Sequence, residues 1–191
     1  SETTPQYLVL DNRRYAGSEP WRYILQPPLR DPEHKEGLWD LLSQGEIDMI
    51  ITDHCDYTKA QKLEHDDFTK TPGGLPGMET LLPLVATYGV DAGRIAWTDL
   101  VRFLGENPAR IHGLWPRKGV LRPGADADIV LYDPAVSGTI TADDLHTIAG
   151  YTPYEGMRVK GRVVTTIRRG EILVHEGEFL GQEGNGVFLP R

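Results

Sequence analysis

The residues best suited to chemistry stand at the end of one apolar run. Residues 47–52 read Ile-Asp-Met-Ile-Ile-Thr, and Asp53 and His54 follow directly. A strand that ends in an acidic residue and a histidine is typical of the C-terminal mouth of a (β/α) barrel, where such enzymes carry their reactive groups. A carboxylate there can bind a metal ion or transfer a proton. Asp53 is therefore the candidate for both catalytic residue and metal ligand.

The sequence offers little else that would complete a metal site around Asp53. It has no His-x-His pair, no His-Glu-x-x-His motif and a single cysteine, Cys55. A zinc site normally takes three or four protein ligands, and the histidines other than His54 stand singly along the chain. His54 itself is either a partner of the metal ligand or an ordinary loop histidine. Cys55 is expected to pack rather than to act as a nucleophile.

Length, composition and charge narrow the class of protein. A complete barrel takes about 250 residues, so the 191 residues present predict part of one. The net charge of −8 argues against nucleic acid as a partner, since phosphate binding requires clustered Lys and Arg. No apolar run approaches about 18 residues, so we expect no membrane partner. The single Cys55 fits a reducing cytoplasm.

The elements that would position Asp53 fall within residues 1–118. The apolar run at 7–10 indicates a short strand, and a helix opens with Asp31 as N-cap and Pro32 in its first turn. This helix should end at Gly45, before a strand over 48–52. Further helices are predicted over 78–88 and after Thr98, which is expected to be the N-cap. Each carries apolar residues at helical spacing, expected to face inward: Leu38, Trp39, Leu41 and Leu42 in the first; Met78, Leu81, Leu82 and Val85 in the second; Leu100, Val101, Phe103 and Leu104 in the third.

This order of strand, helix and strand predicts parallel strands covered by helices. A turn-rich loop over 71–77 follows the Asp53 strand, and a loop of this kind beside a reactive strand end favours a functional role. A last short helix is expected over 107–111.

The pattern changes after residue 118. Short β-type runs separated by glycines predict a small antiparallel unit over 119–180, with a tight hairpin at Arg169 and Gly170. Residues 181–191 contain too few apolar side chains for a core of their own. We therefore expect an extended tail that lies on another surface.

Several motifs together resemble the C-terminal part of a dihydropyrimidinase or D-hydantoinase of the amidohydrolase superfamily. They occur in order over nearly the whole chain: residues 2–8 (ETTPQYL), 27–30 (PPLR), 52–55 (TDHC), 107–114 (NPARIHGL), 118–128 (KGVLRPGADAD) and 154–157 (YEGM). The resemblance implies an α/β chain, made of the C-terminal portion of a (β/α)8 metal-dependent hydrolase barrel and part of a small β-sandwich. The chain would hold the last two barrel strands.

The resemblance also implies an activity and its cofactors. Such proteins hydrolyse cyclic amides and imides with two divalent metal ions, usually zinc, held by four histidines, an aspartate and a carboxylated lysine. Of these ligands only the aspartate falls within the matched residues, at Asp53. The others would belong to a missing N-terminal barrel segment, which we expect as a partner of this chain. Tetramers are common in the family, so a homo-oligomer is also expected.

Two departures from the family pattern concern the substrate. Members often have serine before the Pro-Pro-Leu-Arg motif, where it contacts the imide ring, and this chain has Gln26. They often have Asn-Gly in the turn-rich loop, where this chain has Gly73 and Gly74. These three residues are the candidates for substrate binding.

Two alternatives to a hydantoinase or dihydropyrimidinase remain open. One is an allantoinase-type or dihydroorotase-type relative, since the loop resembles several such enzymes. The other is a non-catalytic scaffold that has lost its metals. Retention of Asp53 favours an enzyme, because a scaffold has no physical need for a carboxylate at that position.

Overall fold

Two short strands pair in parallel at the start of the fold. The computed structural model describes residues 1–190, in which β1 (Glu2–Thr3) lies beside β2 (Met49–Ile50) with Glu2 opposite Met49. The Ile51 N–H continues the ladder by donating to the Thr3 carbonyl at 2.9 Å. The predicted Asp53 strand is present and buried. Its regular part is shorter than 48–52 because β1 offers only two residues before Pro5 begins a helix.

The prediction of a strand over 7–10 is wrong. These residues lie in and just after helix α1 (Pro5–Val9), with Pro5 in its first turn. Proline fixes φ near the helical value and has no N–H to satisfy there. Leu8 is buried, and its carbonyl accepts a hydrogen bond from Trp39 Nε1 at 2.9 Å. Tertiary packing therefore outweighs the strand propensity of this short run. Two 3₁₀ turns follow, Asn12–Ala16 and Pro20–Tyr23.

Helix α2 (Pro32–Gln44) begins and ends where the sequence predicts. Gly45 ends it with a φ of 78°, and the Gly45 N–H donates to the Leu42 carbonyl at 3.0 Å. Trp39 and Leu42 face the core, but Leu41 is 41% exposed and its predicted inward position is wrong. One residue is about 100° of rotation on a helix, enough to turn Leu41 out of the buried stripe.

The remaining helices are short. They are α3 (Lys59–Lys62), α4 (Leu81–Val85), α5 (Trp97–Val101) and α6 (Asn107–Ile111), with a 3₁₀ turn at Phe68–Lys70. Helices α4 and α5 continue as wider π-type turns, Ala86–Asp91 and Arg102–Glu106.

Three details of the helix prediction are wrong. Met78 is 64% exposed in a turn before α4, so the helix does not begin there. Helix α5 starts one residue before Thr98, and its first turn is closed by Asp99, which accepts from the Ala96 N–H at 3.0 Å. Val101 is 59% exposed rather than inward, whereas Leu100 and Phe103 are buried.

Four antiparallel strands form the second sheet, in the order β3 (Ile129–Thr139), β4 (Arg158–Arg168), β5 (Glu171–His175) and β6 (Glu178–Phe179). A 3₁₀ turn, Ala142–Asp144, lies between β3 and β4. The predicted hairpin joins β4 to β5. Its two loop residues, Arg169 and Gly170, have φ values of 51° and 85°. Positive φ at both positions matches the right-handed twist of the flanking strands.

Two apolar clusters form the core. One packs α1, α2 and β2 against the later helices, through residues such as Leu42, Ile50 and Phe103. The other joins Leu25 and Leu75 to Ile140 and Tyr154. The two predicted units, 1–118 and 119–180, thus share part of their interior. Their separation into domains remains a prediction.

The predicted tail contains no helix or strand over 181–190, and its last residue, Arg191, lies outside the described residues. Phe188 is 89% exposed. None of the described helices combines the length and the apolar character needed to cross a membrane.

Candidate functional site

Asp53 follows the buried strand β2 by three residues. Its φ of 47° lies in the left-handed region, which aspartate tolerates better than most residues and which is enriched at functional sites. Among the described residues, none donates a hydrogen bond to its carboxylate. We expect Asp53 to face a cavity, as residues at a barrel mouth do. Within residues 1–190 its side chain is exposed and does not line the cavity of about 830 Å³ beside Gln26. The parallel sheet of residues 1–190 consists of β1 and β2 alone, so no further strand among these residues encloses the Asp53 side.

His54 is fixed by backbone contacts. Its Nδ1 accepts from the N–H groups of Gly77 at 3.1 Å and Met78 at 3.3 Å, so the neutral ring carries its proton on Nε2. Nε2 lies 3.9 Å from the Asp56 carboxylate. His54 also forms a parallel bridge with Leu75. It therefore ties the Asp53 strand end to the loop before α4, which supports the loop-histidine interpretation.

The three predicted substrate-binding residues lie together. A methyl group built on Gly73 would stand 3.1 Å from Cγ of Gln26, and the Gly74 N–H donates to the Ile24 carbonyl at 3.1 Å. Gly74 has a φ of 142°. A methyl group there would lie 2.5 Å from Cβ of Cys55, so this cysteine lies close against the glycine. Asp53 directly precedes His54, and Gly74 directly precedes Leu75. Because His54 and Leu75 form a parallel bridge, the loop runs beside the Asp53 strand end.

Tyr7 connects the Asp53 side of the site to the Gln26 loop. Its hydroxyl donates to the Pro27 carbonyl at 2.7 Å. Burial, and secondly the nearby Asp53 carboxylate, raise the pKa of Tyr7 to about 12. The residue therefore remains a neutral donor at physiological pH. Tyr7 has no functional signal in the sequence, because its apolar neighbours indicate a strand.

A cavity of about 830 Å³ opens beside Gln26. Trp21, Leu25 and Phe68 supply apolar wall, and Lys62 lies among the lining residues. The volume is within the range of pockets that hold small organic molecules.

Lys62 is the main feature that the sequence did not reveal. It lies in the charged stretch 58–70, yet it is only 1% exposed. Its Nζ donates to the carbonyls of Ile24 and Pro72, each at 2.7 Å. Burial lowers the pKa of Lys62 to about 8. Nζ of Lys62 acts as a hydrogen-bond donor to both carbonyls. Lys62 therefore does not match the carboxylated lysine that the family resemblance implies.

The donor set for a metal is incomplete within residues 1–190. An unpaired carboxylate at the end of a barrel strand fits a divalent cation chemically, so Asp53 suits the role of one ligand. The group of acidic and histidine side chains close enough to share an ion is Asp31, Glu33 and His34, all exposed. It does not include Asp53. This part of the chain thus contributes a single residue of the predicted metal set.

Comparison with known proteins agrees with this geometry. The profile of the Amidohydrolase family matches residues 26–173. D-phenylhydantoinase of Escherichia coli O1:K1 / APEC is 44% identical over 192 aligned positions, which cover all of this chain and 42% of that protein.

Solved structures show the same likeness. The dihydropyrimidinase of Brevibacillus agri NCHU1002 superposes with a TM-score of 0.93 at 36% identity, over 96% of this chain and 41% of its own. The D-hydantoinase of Thermus sp. gives 0.93 at 39% identity, over 97% and 41%.

These matches confirm the predicted fold class, an α/β portion of a (β/α)8 hydrolase barrel with part of a small β unit. The chain spans about 42% of the length of the curated relatives that it matches. Enzymes of this family depend on divalent metal. Because the family profile matches more than half of its residues, the chain belongs to the amidohydrolase family, and it resembles the C-terminal part of the hydantoinase and dihydropyrimidinase members.

Proposed function

We propose that the protein containing this chain is a metal-dependent hydrolase of cyclic amides or imides, of the hydantoin or dihydropyrimidine type. The observation that carries the proposal is the unpaired Asp53 carboxylate at the end of β2, beside the loop of Gly73 and Gly74. A free acceptor at this position is what a metal ligand and proton carrier requires.

Asp53 would serve both as metal ligand and as proton shuttle. A bound divalent ion, which we propose to be zinc and one of a pair, supplies acidity by lowering the pKa of water to about 7. Asp53 takes the proton that the attacking water releases. It then returns that proton to the ring nitrogen as the amide bond opens, so the nitrogen leaves in neutral form.

Gln26, Gly73 and Gly74 would contact the ring of the substrate. Gln26 is exposed at the edge of the 830 Å³ cavity. Its amide offers both a donor and an acceptor to a cyclic imide. Because this side chain is longer than serine, we propose that it reshapes the pocket for a substrate other than a plain dihydropyrimidine. Hydantoins with an apolar substituent suit the neighbouring wall of Trp21 and Leu25.

The remaining ligands and the other barrel strands would come from an N-terminal segment that this chain does not contain. We propose that the completed unit forms a homo-oligomer, a tetramer being the form expected. The exposed Val187 and Phe188 of the tail supply apolar surface for such an interface. The single Cys55 supports a cytoplasmic location.

The allantoinase-type and dihydroorotase-type activities are the nearest alternatives, and a non-catalytic scaffold is the other. The unpaired Asp53 carboxylate favours an enzyme over the scaffold, because no residue within 1–190 donates a hydrogen bond to it.

The test is Asp53→Asn in the full-length protein. We expect hydrolysis of hydantoin and dihydrouracil to fall by at least about 1,000-fold, since both a metal ligand and the proton carrier are lost. Metal content per protomer, measured by mass spectrometry, should fall as well. Asp40→Asn is the matched control, because Asp40 is an exposed carboxylate on α2. A variant at Asp53 with full metal content and full turnover would refute the proposal.

A further inference from the structure

Lys62 is a buried cation without an anionic partner among the described residues. A buried charge is costly unless hydrogen bonds compensate it. Lys62 obtains its compensation from two backbone carbonyls, those of Ile24 and Pro72, each 2.7 Å from Nζ. Its ammonium also lies 5.9 Å from the ring centre of Tyr57, a further favourable contact for a cation.

The two carbonyls belong to the two loops that carry the proposed substrate contacts. Ile24 stands two residues before Gln26, and Pro72 directly precedes Gly73. The Ile24 carbonyl also accepts from the Gly74 N–H at 3.1 Å, so it receives both the ammonium and the opposite loop. Among the side chains of residues 1–190, Lys62 is the one that donates hydrogen bonds to both loops.

We propose that Lys62 is a positioning residue that holds the Gln26 loop and the Gly73–Gly74 loop at a fixed separation for substrate binding. The catalytic meaning of this clamp rests on the proposed function, whereas the clamp itself does not. Loops joined by hydrogen bonds to one rigid point lose their independent motion. A misplacement of about 1 Å in such a site can reduce turnover by about 100-fold.

The backbone that carries Lys62 is itself held in place by hydrogen bonds. Lys62 is the last residue of α3, whose first turn is closed by a reciprocal cap in which the Thr58 N–H donates to the Gln61 side chain and the Gln61 N–H to Thr58 Oγ1. The Lys59 N–H ties the same turn to the Ala149 carbonyl at 2.8 Å. The ammonium therefore extends from a fixed backbone.

The experiment compares Lys62→Met with Lys62→Arg in the full-length, metal-loaded protein. Methionine keeps most of the apolar stem and removes the donors, whereas arginine can donate to both carbonyls. Lys59→Met is the matched control, because Lys59 is an exposed lysine on the same helix. Hydrogen–deuterium exchange followed by mass spectrometry reports on the loops without any need for turnover.

We expect Lys62→Met to raise the exchange rates of segments 22–30 and 70–77 together by at least about tenfold, with α2 unchanged. The KM for hydantoin should rise and kcat/KM fall by about 100-fold, at unchanged zinc content. Lys62→Arg should recover most of both effects. A purely structural role would instead reduce the folded fraction and leave the KM of the remaining enzyme unaltered.

Several outcomes overturn the inference. Exchange that is unchanged, or that rises in one loop only, means that Lys62 does not clamp the two loops. Exchange that rises in both loops with an unaltered KM means that the clamp has no role in substrate binding. If the wild-type protein hydrolyses no cyclic amide, the proposed function and the catalytic role fall together, while the exchange data still decide the clamp. Should Lys62→Met not fold, Lys62→Leu, which also lacks hydrogen-bond donors, is judged by the same outcomes.

Discussion

At the scale of single residues, the site depends on a close approach between two backbone segments. Gly74 has a φ of 142°, and its Cα faces Cβ of Cys55. Only glycine adopts this conformation without strain and leaves the necessary room. The loop over 71–77 can therefore lie against the Asp53 strand end because position 74 has no side chain.

This contact makes Gly74→Ala more damaging than Gly73→Ala. The added methyl of Gly74→Ala would stand 2.5 Å from Cβ of Cys55 in a conformation that alanine disfavours. We expect a loss of about 2 to 4 kcal/mol in the free energy of unfolding, from backbone strain and overpacking together. At Gly73 the nearest atom is Cγ of the flexible Gln26 side chain, at 3.1 Å. The loss there should stay below about 1 kcal/mol.

Chemical denaturation of the two variants in parallel measures the difference. Equal losses would mean that the loop moves away from the strand end readily, and the close approach would then have no energetic weight.

At the scale of elements, α2 provides a direct test of which helix face is buried. Leu42 is fully buried in the cluster with Trp39 and Ile50, whereas its neighbour Leu41 is 41% exposed. We expect Leu42→Ala to reduce the free energy of unfolding by about 2 to 5 kcal/mol, because it leaves a cavity in the core. Leu41→Ala should cost less than about 1 kcal/mol. Thermal unfolding of the two variants checks this, and a larger loss at Leu41 would contradict the packing described.

The sequence predicted α2 well because its signals are local. Pro32 at the start and Gly45 at the end act through their own backbone preferences. The run at 7–10 was misread because its helix depends on distant partners such as Trp39, which local patterns do not contain. The start of α4 was misplaced for a related reason. Met78 fits the helical spacing, but its N–H donates to Nδ1 of His54, beside the Asp53 strand end.

In the candidate site, too, the sequence predicts residues with a local signal and misses those whose position depends on distant contacts. The spacing of Asp53 after an apolar run was sufficient to mark a strand end, and the family pattern marked Gln26, Gly73 and Gly74. Nothing in the sequence distinguishes Lys62 from the exposed lysines around it, because its burial follows from where the loops at 24 and 72 come to lie. Likewise, the left-handed backbone of Asp53 has no sequence signal.

At the scale of the whole molecule, the number of metal ligands limits what this chain can do by itself. Asp53 is the proposed ligand, and the group formed by Asp31, Glu33 and His34 lies elsewhere and is exposed. One carboxylate does not supply the three or four protein ligands of a zinc site. We expect the isolated 191-residue chain to retain well under one zinc per molecule after gel filtration and to show no hydantoin hydrolysis.

Zinc analysis and a hydantoinase assay on the purified 191-residue chain give the answer, with the full-length protein as the positive control. Tight zinc binding or turnover by the chain alone would mean that the ligands come from residues other than those proposed. Light scattering on the same sample reports whether the chain self-associates through its exposed apolar surface.

A buried contact between Tyr154 and Gln6 joins the later part of the chain to its first residues. The Tyr154 hydroxyl donates to the Gln6 amide oxygen at 3.3 Å across 148 positions of sequence, and both side chains are buried. A gene truncated after codon 118 would still encode every proposed site residue, yet its product would leave the Gln6 oxygen without this donor and expose Leu25 and Leu75. The packing of residues 1–118 therefore depends in part on Tyr154, which follows them in the chain. A chimera that joins residues 1–118 to the later part of a homologue needs a hydrogen-bond donor at the position of Tyr154 to keep this buried contact.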